Sequence, residues 1–108
     1  MSELNGERAA VRRLLRALTA GGWGLAGIFD GEVMERPKTE AEAMALVFNL
    51  DESSLRVRRP GGKVHGILIV LGNHPDGSEV VADWNYTDGD PDGFDAFMDG
   101  FAASEAAR

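Results

Sequence analysis

Leu55-Arg56-Val57-Arg58-Arg59-Pro60-Gly61-Gly62-Lys63-Val64-His65-Gly66-Ile67-Leu68-Ile69-Val70-Leu71 decides the fold of this 108-residue chain. Residues 55–59 alternate apolar and basic side chains, the period-2 signature of a strand with one face in water. Pro60-Gly61-Gly62-Lys63 supplies turn chemistry. The next run, 64–71, is apolar in both phases, with Val64, Leu68 and Val70 on one side and Ile67, Ile69 and Leu71 on the other. A strand of that kind expects cover on both faces. The turn is too short for a helical crossover, so the two strands run antiparallel.

Working outward, the loop Gly72–Ser78 leads to Glu79–Trp84, a third strand of the same meander. Upstream, Leu4, Val11, Leu14, Leu15 and Leu18 share one side of a helix over Glu3–Thr19, while Arg12, Arg13 and Arg16 take the other. Gly21-Gly22 ends it. Trp23–Phe29 reads as a strand, Asp30-Gly31 as a tight two-residue hairpin turn and Glu32–Arg36 as a short polar partner. Pro37-Lys38 breaks that strand. Thr39 with Glu42 three residues later is a capping box for a second helix, reaching Phe48 or Asn49, with Ala43, Leu46 and Val47 inward. Phe94, Phe97, Met98 and Phe101 recur at helical spacing in a third. The fold class is α+β: a five-stranded antiparallel sheet packed by three helices, in the order αββαβββα, as one domain over 1–108.

That element order resembles the profilin-like and roadblock-like scaffolds, which serve as binding modules and dimerise through an edge strand or a helix. A second resemblance lies in residues. Val47-Phe48-Asn49-Leu50-Asp51-Glu52, Leu55, Gly62-Lys63, Leu71-Gly72-Asn73-His74-Pro75 and Glu79-Val80-Val81-Ala82-Asp83-Trp84 look like small, functionally uncharacterised bacterial α+β domains. In those, a strand ending in Gly-Asn precedes one ending in Ala-Asp-aromatic. Some small acidic bacterial proteins of this sort are immunity proteins that block a partner toxin, an analogy of composition.

The net charge of −7 is uneven. Residues 76–108 hold nine carboxylates against Arg108, and the rest of the chain sums to +1. Such a field repels nucleic-acid phosphate and anionic membrane, so neither is an expected partner. No apolar run approaches the ~20 residues of a bilayer span, and the start lacks the basic-then-apolar order of a secretory signal. The chain has no cysteine, which fits a reducing compartment. Together these make the cytoplasm the expected location.

Only one stretch has site-like spacing. Asp88, Asp90, Asp92 and Asp99 fall at positions one, three, five and twelve of a window with Gly93 at six and the Phe94 carbonyl at seven, as in a calcium loop. Asp95 occupies the eighth position, where an apolar residue normally packs, and a strand rather than a helix leads in. The alternative for the same residues is helix capping. Asp90 before Pro91 can cap the last helix, or Asp92 can cap with Asp95 as the reciprocal acid. Calcium is thus the one candidate cofactor, as an alternative to none.

His65 and His74 do not define ligand spacing, and Ser53, Ser54, Ser78 and Ser104 have no evident base. A small enzyme would need a concave site that no motif announces. The reading that results is a non-enzymatic protein-binding domain, immunity- or adaptor-like. Its expected contact surface is Trp84, Tyr86, Asp88, Asp90, Asp92 and Asp95, an acidic, aromatic-containing patch suited to a basic protein partner. The Trp23–Arg36 hairpin is a candidate edge for a homodimer, with Glu32 and Glu35 placed to prevent it.

Overall fold

Leu4–Ala20 forms helix α1 in the computed structural model, which describes residues 4–72, 80–85 and 88–108. Ala10, Val11, Leu14, Leu15 and Leu18 are buried, while Arg12 and Arg16 face water, as amphipathic spacing requires. Glu7 lies on the same stripe and is buried too. The helix closes in a Schellman motif. Gly22 sits at φ +83°, where a side chain would be strained; its N–H donates to the Thr19 carbonyl at 3.1 Å, and that of Trp23 to Leu18 at 2.9 Å. This turn delivers Trp23 into the core.

Strands β1 (Gly24–Phe29) and β2 (Met34–Glu35), helix α2 (Glu40–Phe48), strands β3 (Glu52–Arg58), β4 (His65–Val70) and β5 (Val81–Trp84), and helix α3 (Phe94–Ala106) follow. The fold is α+β in the predicted order, with all strand pairs antiparallel and the sheet arranged β2-β1-β3-β4-β5. Thr39 and Glu42 form the expected capping box. Ala43, Met44 and Val47 are the buried residues of α2, with Leu46 only half-buried. Among the described residues, no helix is long and apolar enough to cross a membrane.

The hairpin differs from its sequence reading. Phe29 pairs with Met34, so the connection is Asp30–Val33 and not a two-residue turn. The Asp30 carboxylate accepts the N–H groups of Glu32 and Val33 at 2.8 and 2.7 Å. This local closure competes with the tighter turn, as aspartate side chains do in loops.

The larger correction concerns β4. Ile28, Leu55, Val57, Ile67 and Ile69 point to the face on which the helices lie, and build the core with Val11, Leu14, Met44, Val47, Phe94 and Met98. The pleat sends Phe29, Ser54, Arg56, Gly66, Leu68 and Val70 to the opposite face. No described helix packs there, and Phe29, Leu68 and Val70 are half-buried outside the core. The double cover that β4 expects is therefore present once among the described residues.

Candidate functional site

Residues 88–95 lie between β5 and the start of α3, and their carboxylates point in separate directions. Helix α3 begins at Phe94 with Gly93 as its N-cap at φ +74°, a residue with no side chain to cap with. Asp90 reaches over instead. Its two carboxylate oxygens accept the N–H groups of Asp95 at 2.8 Å and Ala96 at 3.1 Å, in the first helical turn where donors lack partners. Asp90 thus caps the helix, but from outside it, and Pro91 is not the first helical residue.

Asp92 does not cap. Its Oδ2 accepts the Lys63 N–H at 3.2 Å and faces His65 Nε2 at 2.9 Å. These contacts hold its pKa below the ordinary aspartate value, first through the His65 hydrogen bond and then through the Lys63 N–H. His65 is 2 % exposed, stacks on Phe94 at 4.4 Å and meets Trp23 edge-on at 5.8 Å. Its Nδ1 has no hydrogen-bond partner among the described residues. Among the described residues, no serine hydroxyl bonds to this ring, so it builds no nucleophile–base pair there.

Asp95 accepts the indole N–H of Trp84 at 2.9 Å, tying β5 to α3. Asp88 and Asp99 are exposed. Of the residues predicted to form one patch, Trp84, Asp90 and Asp95 are brought together by a chain of hydrogen bonds, Asp92 is drawn toward β4, and Asp88 stands apart. Tyr86 and His74 lie outside the described residues.

The same geometry bears on calcium. Phe94 is the first residue of α3 and Asp99 lies in its second turn. Among the described residues, no three acidic or histidine side chains gather to hold a metal ion. Converging Asp88, Asp90, Asp92, the Phe94 carbonyl and Asp99 on one cation would require Asp90 to release the helix and Asp92 to release His65. Of the four carboxylates at calcium-loop spacing, Asp90 fastens the last helix and Asp92 is engaged by Lys63 and His65, while Asp88 and Asp99 face solvent.

A second feature, which no sequence motif announces, lies on the sheet face that no described helix covers. Arg56 sits on β3, the middle strand, paired in register with Gly27 on β1 and Gly66 on β4. Its Nε donates to Ser54 Oγ at 2.9 Å and its guanidinium lies 5.1 Å from the centroid of Phe29. A Cβ at Gly66 would stand 3.2 Å from Ser54 Oγ and 3.6 Å from Arg56 Nε. Gly66 thus forms part of the floor of an open hollow of about 340 Å³ whose lining includes Ser54, Arg56, Val64, Leu68, Asp83 and Asn85, the last accepting the Gly66 N–H. The available signal was Arg56 in the strand whose neighbour, 64–71, is apolar in both phases.

No family model, curated protein or solved structure matches the chain. The fold and these two surfaces define it as a small α+β domain with helices on one face of the sheet and, among the described residues, none on the other.

Proposed function

We propose that the protein is a non-enzymatic protein-binding domain, immunity- or adaptor-like, that docks a partner on its open sheet face. One observation carries this reading. Strand β4 has the sequence of a doubly covered strand, yet the helices cover one face and leave Leu68 and Val70 outside the core. Solvated faces of antiparallel sheets ordinarily alternate to polar residues, and apolar patches that break this rule mark interaction surfaces. Val64, at 49 % exposure, and Met34, at 40 %, extend the patch to either side. The element order, like that of profilin-like and roadblock-like binding modules, supports the same reading.

The acidic segment contributes a second surface. Asp88 and Asp99 project to solvent, and among the described residues none of Asp88, Asp90, Asp95 and Asp99 forms an ion pair with lysine or arginine. Their field favours encounter with a basic partner.

The test places a charge on the face. Leu68→Asp is expected to keep the melting temperature within a few degrees, because the side chain lies outside the core, and to lose the partner captured from the native cell. Ala41→Asp, on exposed α2 surface, is expected to keep it. Unchanged capture by Leu68→Asp would refute the proposal, as would unfolding of that variant, which would mean that the chain covers its own face.

A further inference from the structure

Resting on the docking face proposed above, we infer that Arg56 is its selector and that the partner presents a single Asp or Glu carboxylate set among apolar side chains. A guanidinium at the centre of an apolar sheet face is normally matched by an acid. None of the ion pairs among the described residues includes Arg56, and its only hydrogen bond there uses Nε. The two terminal nitrogens make no hydrogen bond or ion pair among the described residues. They are also held in position: Ser54 fixes one edge of the fork and the guanidinium carbon sits over the Phe29 ring. A planar fork fixed before binding is the geometry that recognises carboxylate with two parallel hydrogen bonds, and it loses little freedom in doing so.

The surroundings narrow the ligand. Glu52 and Asp83 project from the same face, and the chain carries −7 overall, so a polyanion such as nucleic acid is repelled while one carboxylate matches one arginine. Leu68 and Val64 flank the hollow and accept the apolar neighbours of that carboxylate. A second copy of this chain docked face to face is disfavoured, because a two-fold axis would bring two acids, Glu52 and Asp83, from each protomer against one arginine from each, an excess of like charge.

Nuclear magnetic resonance titration tests this with three peptides of identical frame, acetyl-Leu-Glu-Leu-amide, acetyl-Leu-Gln-Leu-amide and acetyl-Leu-Lys-Leu-amide. The Arg56 Nε–H and the Ser54 and Gly66 amides report binding at the hollow. The glutamate peptide is expected to bind the wild type at least about fivefold more tightly than the glutamine peptide, and the lysine peptide not at all. Arg56→Lys, which keeps charge without the fork, should lose most of that preference. Arg56→Gln should abolish it while leaving the glutamine peptide's affinity unchanged.

Equal affinity for the glutamate and glutamine peptides, a preference that survives in Arg56→Gln, or no response from any peptide would overturn the assignment of Arg56. A concentration-dependent dimer in sedimentation that Arg56→Gln dissolves would also overturn it, giving the face to a second copy. None of these outcomes touches the Leu68→Asp result, so the selector can fail while the docking face stands, and loss of the docking face shows separately.

Discussion

Asp92 Oδ2 lies 2.9 Å from Nε2 of His65, on a ring packed between Phe94 and Trp23, and so joins the approach to α3 to the first residue of β4. The pairing accounts for the depressed pKa of Asp92. A carboxyl whose folded value lies below its unfolded value of about 3.9 stabilises the fold fully above that value. It loses the contribution as pH falls through the folded value. Asp92→Asn removes this dependence. Thermal unfolding followed from about pH 6 down to about pH 2 is expected to show the wild type melting above the variant at the upper end and converging with it in acid. A gap that stays constant with pH would mean that the pairing does not depend on the carboxylate charge.

Asp90 fastens the other side of the same junction. Asp90→Ala leaves the N–H groups of Asp95 and Ala96 without their acceptors, a loss of about 1 kcal/mol for capping side chains and a fall of ~4–8 °C in melting temperature for a domain near this size. The backbone adds a second effect, since Asp90 sits at φ +45°, a region that asparagine tolerates and alanine does not. Asp90→Asn should therefore retain most of the stability. Hydrogen exchange at the Asp95 and Ala96 amides localises the effect; if those amides stay protected in Asp90→Ala, the capping role is wrong.

These two aspartates show what the sequence could and could not reveal. Several of the strands and helices were legible because strong local chemistry bounded them: Gly21-Gly22, the Thr39–Glu42 box and Pro60-Gly61-Gly62. The destinations of the carboxylates were not. Asp92 finds His65 across 27 positions, and no spacing rule anticipates a partner that only the sheet brings near. The same holds for Arg56, whose setting depends on glycines in register on two other strands. That no described helix covers the second face of β4 was equally hidden, because an apolar strand records what burial it needs and not who supplies it.

Arg13 and Glu105 link α1 to α3 by two hydrogen bonds of 2.8 and 2.7 Å. The Arg13 hydrogen bond is the leading cause of the lowered Glu105 pKa, so this link too is present above the unfolded value of about 4.3 and weakens in acid. Because the Arg13 side chain is 30 % exposed, solvent screens the pair, and Glu105→Gln should cost no more than about 1 kcal/mol. Raising the salt concentration should narrow the difference between variant and wild type in chemical denaturation. A difference that grows with salt would contradict an ionic link.

Glu7 is the test of the least expected feature of the core. It is 1 % exposed on the apolar stripe of α1; Oε2 accepts the Gly72 N–H at 2.7 Å, and Oε1 has no partner among the described residues. Glu7→Leu fits the apolar surroundings but strips Gly72 of its acceptor, which leaves a donor unmet at a cost of about 1–3 kcal/mol. Glu7→Gln keeps an oxygen for Gly72 and removes the charge from a site that offers it one hydrogen bond, so it should match or exceed the wild type in stability. The order expected in equilibrium denaturation at neutral pH is Gln at or above Glu, with Leu lowest. Leucine as stable as glutamine would show that the Gly72 hydrogen bond holds nothing, and the buried acid would then owe its place to something other than closing the end of β4.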